Sequence, residues 1–131
     1  MLHDSHAFSG FSTNDIEKAR KFYGETLGLD INEQMGVLNV TFAGGGVAVI
    51  YPKDNHEPAT FTVLNFPVDD IDAAVDRLVA AGITFERYEG LGQDERGIAR
   101  EYPPPIAWFK DPAANILSVI QTDRSSSSGA P

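Results

Sequence analysis

The chain has 131 residues, 42% of them apolar, and it carries a formal net charge of −9 with no cysteine. This length fits one domain, or two small half-domains that share a core, and no apolar run is long enough to span a membrane. The acidic balance argues against nucleic acid as a partner, and the lack of cysteine excludes disulfides, thiolate metal sites and cysteine nucleophiles. We see no signal peptide and expect a cytoplasmic protein.

The first half of the chain shows a strand, a helix and three further strands. The strand "HAFSGFST" precedes "NDIEKARKFYGETLG", in which Asn14 followed by Glu17 forms a capping-box pattern and Gly28 ends the helix. Apolar residues between them recur at helical spacing. Strand patterns follow in "LDINEQM", "VLNVTFA" and "VAVIYP", with the turn "GGG" between the last two.

The second half shows the same order of elements. The strand "TFTVLNFPV" precedes the helix "DDIDAAVDRLVAAG", whose first carboxylates, Asp69 and Asp70, suit the positive end of a helix dipole. The strands "ITFERYE", "IAWFK" and "ILSVIQ" follow, and the turn "DPAAN" joins the last two. The loop between Glu89 and Pro105 is long, as functional loops often are. The polar tail 124–131 is predicted to be disordered.

The two halves also match in sequence around their helices. At one constant spacing, Phe11 corresponds to Phe66, Asp15 to Asp70, and Ile16 to Ile71. We interpret this as an internal duplication, with a first module at 1–55 and a second at 56–123. The alternative is that two strand–helix junctions look alike by chance.

The segment "DIEKARKFYGETLGL" and the closing "FKDPAANILSVIQ" resemble the vicinal oxygen chelate superfamily, which includes glyoxalase I, bleomycin-resistance proteins, fosfomycin-resistance enzymes and extradiol dioxygenases. The family's usual turn is Asp-Pro-Asp-Gly-Asn, so this chain departs from it at Ala113 and Ala114. The resemblance covers roughly residues 5–122. It implies an α+β fold of two βαβββ modules, each a curled, mixed four-stranded sheet around a cleft with a helix on the outer face. It also implies a homodimer, with modules paired within one chain or swapped between chains.

Family members that catalyse a reaction hold a divalent metal through His, Gln or Glu side chains on the first and last strands of each module. The resemblance puts those positions at Phe8, Val63, Ser118 and, depending on register, Val49 or Ala48. One neutral hydroxyl among apolar side chains cannot hold a divalent ion, so we predict no metal and no cofactor. His6 would become a ligand only in a slipped register. The alternative is an ordinary histidine at a strand end.

Strand alternation adds polar groups to the same predicted cleft. Ser12 shares a face with Phe8, and Asn65 shares one with Val63. The amide of Asn65 has an alternative interpretation, backbone pairing near a bulge. A lone tryptophan in a strand is more often a core residue, but the resemblance favours Trp108 as a cleft wall. The predicted ligand-binding residues are Phe8, Ser12, Tyr51, Val63, Asn65, Glu101, Trp108 and Ser118.

A cleft of apolar walls with few polar groups suits an apolar or aromatic small molecule. We therefore predict a metal-independent small-molecule-binding protein of the glyoxalase/bleomycin-resistance type, one that sequesters an apolar or aromatic natural product. One alternative is an enzyme of the same superfamily (a lyase, isomerase or dioxygenase-like protein). It would have either a metal-free site that uses Glu101, a tyrosine or an arginine for acid–base chemistry, or an unconventional metal site. Another is a partner-binding protein with a vestigial cleft. No catalytic residue is assigned.

Overall fold

Residues 1–101 and 104–122 are described by the computed structural model. The chain divides into two units, Met1–Pro58 and Ala59–Pro131, each built on its own sheet. The predicted disordered tail 124–131 lies outside the described residues. Within those residues, the helices are too short and too polar to cross a bilayer.

The first unit has the predicted order of one strand, one helix and three strands. Strand β1 spans Ser9–Thr13. Helix α1 spans Ile16–Arg20 and continues as a π-helical segment, Lys21–Thr26. Strands β2, β3 and β4 span Asp30–Gln34, Val37–Thr41 and Val47–Pro52. The sheet order is β1-β4-β3-β2, with β1 parallel to β4 and the other pairs antiparallel. This sheet is the predicted mixed four-stranded sheet.

The start of helix α1 differs by one residue from the sequence prediction. Asp15, not Asn14, is the N-cap, and its carboxylate accepts a hydrogen bond of 3.1 Å from the backbone N–H of Lys18. The hydroxyl of Thr13 in turn accepts a 3.2 Å bond from the Asp15 N–H and helps to hold that residue in an extended conformation. Since aspartate caps a helix as well as asparagine does, the capping-box pattern placed the helix correctly but shifted its first turn.

One face of the first sheet is buried and the other is open. Phe11, Leu38 and Ile50 are register partners on three neighbouring strands and are buried, and Phe11 packs against Tyr23 with ring centroids 6.1 Å apart. This face therefore lies under the helical segment. Residues of the opposite parity, such as Val49, are half-buried or exposed. The open face is where a ligand could approach this unit.

The second unit has a smaller sheet than the sequence predicts. Strand β5 spans Thr62–Val68, helix α2 spans Ile71–Ala80, and strands β6 and β7 span Ile106–Lys110 and Ile116–Gln121. The sheet order is β5-β7-β6, with β5 parallel and β6 antiparallel to β7. The α+β class and mixed sheets are confirmed, while the four-stranded second sheet is found only in part.

The predicted strand "ITFERYE" is reduced to a single bridge between Phe85 and Phe109. The side chain of Gln93 explains where the pairing stops. Its Nε2 donates to the carbonyl of Glu86 at 2.8 Å, and its Oε1 accepts from the N–H of Tyr88 at 2.6 Å. Those backbone groups are therefore satisfied by an amide side chain instead of a longer ladder to β6.

Helix α2 packs on β7, and one hydrogen bond shows on which face it lies. The side-chain Oε1 of Gln121 accepts a 3.0 Å bond from the N–H of Ile71, the first residue of the helix. Gln121 has the same parity as the buried residues Leu117 and Val119. The opposite face of this sheet therefore presents Ser118 and its register partner Trp108 away from the helix.

The Asp-Pro turn between β6 and β7 is closed by two side chains. Asp111 Oδ1 accepts 2.9 Å bonds from the N–H groups of Ala113 and Asn115, and Asn115 Nδ2 donates to Asp111 Oδ2 at 3.0 Å. Ala114 occupies the left-handed region, with φ of 67°. The turn thus holds an alanine in a conformation that favours glycine.

Candidate ligand-binding site

Three of the predicted ligand-binding residues form one row across the second sheet. Asn65 on β5 is the register partner of Ser118 on β7, which is the register partner of Trp108 on β6. The hydroxyl of Ser118 donates a 2.6 Å hydrogen bond to Oδ1 of Asn65. Ser118 is 0% exposed whereas Asn65 is exposed, so the amide satisfies a buried hydroxyl and still presents polar atoms to solvent.

Trp108 lies in an apolar cluster on the face of the sheet away from α2. Its side chain is 8% exposed, and Ala99 and Ile106 are buried beside it. The half-buried residues Tyr88, Leu91, Ile116 and Ile120 pack against these three. The rings of Tyr88 and Trp108 meet edge to face, with centroids 5.5 Å apart and planes at 81°. Trp108 therefore contributes to packing, and only a small part of its indole can meet a ligand.

Tyr88 belongs to this cluster and was not among the predicted ligand-binding residues. Its hydroxyl is buried and has no hydrogen-bond partner within the described part of the chain. Burial, with the nearby Glu86 carboxylate, raises the pKa of the phenol, so the hydroxyl stays protonated at neutral pH. In the sequence, Tyr88 is simply an aromatic residue near the end of a strand-like pattern, which gave no signal of an unpaired hydroxyl.

Gln93 fixes the backbone that carries Tyr88. Besides its bonds to Glu86 and Tyr88, its Nε2 donates to the carbonyl of Gly97 at 2.7 Å. The N–H of Glu86 donates to the carbonyl of Trp108 at 2.8 Å, which ties the same segment to β6. The backbone of Tyr88 is thus held on both sides while its hydroxyl remains unpaired.

The remaining two predicted residues of the second unit lie apart from this row. Val63 is half-buried at an irregularity of β5, because the register to β7 shifts between Thr62 and Leu64. Such a bulge redirects the side chains around it. Glu101 is exposed in a turn directly before the two undescribed residues 102 and 103.

In the first unit the structure brings Ser12 close to Tyr51 and to a histidine. Ser12 on β1 and Tyr51 on β4 are register partners on the open face of the sheet. Ser12 Oγ lies 2.6 Å from Nδ1 of His56, a residue of the segment between β4 and β5. Phe8 lies just before β1 and is 67% exposed. His6 is exposed in the same leading segment.

Six of the eight predicted residues thus fall in two groups. Ser12 and Tyr51 are adjacent in the first unit, with Phe8 at the start of the same strand, and Asn65, Ser118 and Trp108 are adjacent in the second. Within the second unit, Val63 and Glu101 are not joined to the row. That all eight line one cleft stays a prediction.

The residues at the family's metal positions do not fit a metal ion. Phe8, Val63 and the pair Val49 and Ala48 have no side-chain donor atoms, and the hydroxyl of Ser118 already donates to Asn65. A divalent ion needs several converging nitrogen or oxygen donors. Across residues 1–101 and 104–122, no three His, Asp or Glu side chains come close enough to hold one. These positions therefore do not provide the donor set that a divalent metal needs.

Arginine and aspartate side chains connect the segment after Tyr88 to helix α2. Arg96 Nη1 lies 2.8 Å from Asp72 Oδ1, and Arg100 Nε lies 2.6 Å from Asp94 Oδ2. Arg100 also bonds to Asp72, and Arg96 bonds to Asp76. The hydrogen bond from Arg100 lowers the pKa of the Asp72 carboxyl, despite some desolvation. The cluster thus braces the segment that carries Leu91 and Ala99 against the helix.

Comparison with protein-family models identifies one superfamily for this chain. A model of the Glyoxalase/Bleomycin resistance protein/Dioxygenase superfamily matches residues 6–119. A comparison with curated proteins found no match.

Several solved structures have a similar fold. TnmS3, an antibiotic-binding protein from Streptomyces sp. CB03234, is 25% identical with a TM-score of 0.67, over 94% of this chain and 100% of that one. Lactoylglutathione lyase from Agrobacterium tumefaciens is 18% identical with a TM-score of 0.61, over 89% and 93% of the two chains. The fosfomycin resistance protein FosX from Mesorhizobium loti is 12% identical with a TM-score of 0.64, over 98% and 100%.

Proposed function

Because this chain belongs to the Glyoxalase/Bleomycin resistance protein/Dioxygenase superfamily, we propose that it is a metal-independent binding protein for an apolar or aromatic small molecule. The ligand-binding residues of the proposal are Asn65, Trp108 and Ser118, with Val63 and Glu101 in the second unit and Phe8, Ser12 and Tyr51 in the first. Sequestration of a natural product is the activity that such binding would provide.

One observation carries the proposal, the hydrogen bond from Ser118 to Asn65. At the position where the resemblance puts a metal-binding carboxylate, the chain has a buried hydroxyl that is already satisfied by its neighbour. Its register partner is the aromatic residue Trp108, and the ring of Tyr88 meets the ring of Trp108 edge to face. A surface of aromatic edges with one exposed amide suits a ligand that is flat, mostly apolar and fixed by few polar contacts.

The likeness to TnmS3, described as an antibiotic-binding protein, supports the same class of function. That likeness extends over nearly the whole of both chains, so it is not limited to one shared motif. The chain's net charge of −9 favours neutral or cationic ligands over anionic ones.

Other parts of the sequence analysis remain predictions within this proposal. They are the duplicated modules at 1–55 and 56–123, the homodimer and the cytoplasmic location. Size-exclusion chromatography with light scattering tests the dimer, for which we expect twice the chain mass of 14.2 kDa.

A thermal-shift measurement with a neutral and a charged aromatic compound tests the proposed function. We expect 9-fluorenone to raise the melting temperature by several degrees at concentrations far above its Kd, and 9-fluorenone-4-carboxylate to raise it much less. Trp108→Leu should reduce the shift markedly. The control Phe109→Leu alters an aromatic residue on the opposite face of β6 and should keep the full shift. Equal shifts for both compounds, or an undiminished shift in Trp108→Leu, would contradict the proposal.

A second candidate function is a metal-free enzyme, and the 2.6 Å contact between Ser12 Oγ and His56 Nδ1 favours it. A hydroxyl beside an imidazole is the first part of a general-base arrangement. Turnover of the hemithioacetal of methylglyoxal and glutathione tests this candidate. We expect no turnover above background. Turnover would favour the enzyme if it is lost in His56→Gln but retained in the matched variant His3→Gln.

A further inference from the structure

The buried hydroxyl of Tyr88 is a polar group without a partner in the part of the chain that the structure describes. It has neither a hydrogen-bond partner within the described residues nor contact with solvent. A buried polar group in that state destabilises the protein, and each such group calls for an explanation. A ligand atom that supplies the missing partner is one explanation, and it predicts where that atom must lie.

The position of this hydroxyl joins it to the proposed binding row. The ring of Tyr88 contacts Trp108, whose register partner Ser118 bonds to Asn65. The four residues thus lie next to one another in series on the face of the second sheet opposite α2. Gln93 accepts a 2.6 Å hydrogen bond from the backbone N–H of Tyr88, so the backbone that carries the phenol is held in this place.

We propose that the Tyr88 hydroxyl is a specificity-determining hydrogen-bond donor for a neutral, flat aromatic ligand that carries a carbonyl oxygen. This inference rests on the proposed function and names a chemical feature of its ligand. Because the hydroxyl is covered, such a ligand reaches it only with a local shift of the neighbouring side chains.

The chemistry of the neighbourhood sets the direction of the bond. Burial and the Glu86 carboxylate raise the pKa of the phenol, so Tyr88 donates a proton and the ligand accepts it. The same carboxylate and the acidic chain disfavour an anionic acceptor. A carbonyl oxygen is a neutral acceptor that can lie in the plane of an aromatic ligand, and the Tyr88 and Trp108 rings would contact that ligand's apolar body.

The matched pair 9-fluorenone and fluorene tests the inference, because the two share a ring skeleton and differ by a carbonyl in place of a methylene. Affinities are read from the fluorescence of Trp108, which is the only tryptophan. We expect the wild-type protein to bind fluorenone about three- to tenfold more tightly than fluorene. Tyr88→Phe should remove that preference and leave the affinity for fluorene unchanged. Tyr23→Phe, a buried tyrosine of the first unit, should keep the preference.

The free protein supplies a second readout. Tyr88→Phe removes an unpaired hydroxyl, so its melting temperature without ligand should equal or exceed that of the wild type. A fall of several degrees would overturn the inference, since the hydroxyl would then have a partner in the free protein. If the wild type and Tyr88→Phe each bind fluorenone and fluorene with equal affinity, the inference about Tyr88 is overturned while the proposed function stands. Binding of neither probe would overturn both.

Discussion

The hydroxyl of Ser118 donates a 2.6 Å hydrogen bond to the side-chain oxygen of Asn65, its register partner across β5 and β7. Ser118 is completely buried and Asn65 is exposed, so the two residues are not equivalent in the pair. In the proposed function this bond takes the place of a metal–carboxylate contact, and it links the sheet to the proposed ligand surface.

The pair gives an asymmetric stability prediction. Asn65→Ala leaves a buried hydroxyl without a partner and should lower the free energy of unfolding by about 1–3 kcal/mol. Ser118→Ala leaves only an exposed amide, which can form a hydrogen bond to water, and should lower the free energy of unfolding by less. The double variant should resemble Ser118→Ala. Urea denaturation measures all three, with Asn39→Ala as a control amide in the first unit, where Asn39 Nδ2 bonds to the Asn32 carbonyl at 3.3 Å. A cost for Ser118→Ala above that for Asn65→Ala would contradict the assignment.

The strained alanine of the Asp-Pro turn predicts a stabilising substitution. Ala114 has φ of 67°, a conformation that costs a non-glycine residue about 1–2 kcal/mol. Ala114→Gly relieves that strain, although it also increases the entropy of the unfolded chain, so we expect a net gain of about 0.5–1 kcal/mol. Ala113→Gly, in the same turn, is the matched control and should stabilise nothing. A loss of stability in Ala114→Gly would show that the turn is not strained there.

The charged cluster around Asp72 predicts acid sensitivity. The hydrogen bond from Arg100 lowers the pKa of Asp72 below its ordinary value of 3.8 in the folded protein. A depressed pKa contributes stability that is fully present above the unfolded value and is lost as the pH falls through the folded value. The melting temperature should therefore fall more steeply below about pH 4 in the wild type than in Asp72→Asn.

Local measurements should place that effect in one segment. As the pH falls from 5 to 3, the exchange rate of backbone amides, corrected for its intrinsic pH dependence, should increase most within residues 90–101. Arg87→Gln is a control of the same unit, since Arg87 forms none of the ion pairs seen in the described chain. Identical pH profiles for the wild type and Asp72→Asn would refute the role of the cluster.

The residues at the family's metal positions predict that divalent metals do not change the protein's melting temperature. Zinc, nickel or manganese at a few equivalents should leave the melting temperature unchanged, because a tightly bound ion would stabilise the folded state by several kcal/mol. Elemental analysis of protein expressed with added metal should find far less than one ion per chain. A rise in melting temperature that His6→Ala abolishes would identify His6 as a ligand and contradict this prediction.

The sequence predicted the two helices and most strands because their patterns depend on local rules. Apolar periodicity placed both helices, and the turn formers around Asp111 and Asn115 placed the last hairpin. The lost strand at 83–89 was not predictable, since it depends on Gln93, whose amide satisfies backbone groups of Glu86 and Tyr88. Strand alternation selects a face but cannot show which loop side chain will compete for the ladder.

The candidate site, like the fold, was predicted from the sequence only in part. The family resemblance selected Ser118, and strand parity selected Asn65, and the structure joins them by a hydrogen bond. Parity could not show that His56 meets Ser12, because a linker has no repeating geometry. Nor could it find the unpaired hydroxyl of Tyr88, because being unpaired depends on all the atoms around it.

The most direct test of the central claim is equilibrium dialysis of 9-fluorenone against the purified protein, with and without EDTA. The proposed function predicts saturable binding with the same Kd in both buffers, and a Kd at least about tenfold weaker in Trp108→Leu than in the control Phe109→Leu. Binding that disappears with EDTA and returns with added metal would contradict a metal-independent site, and no saturable binding in either buffer would contradict the proposed ligand class.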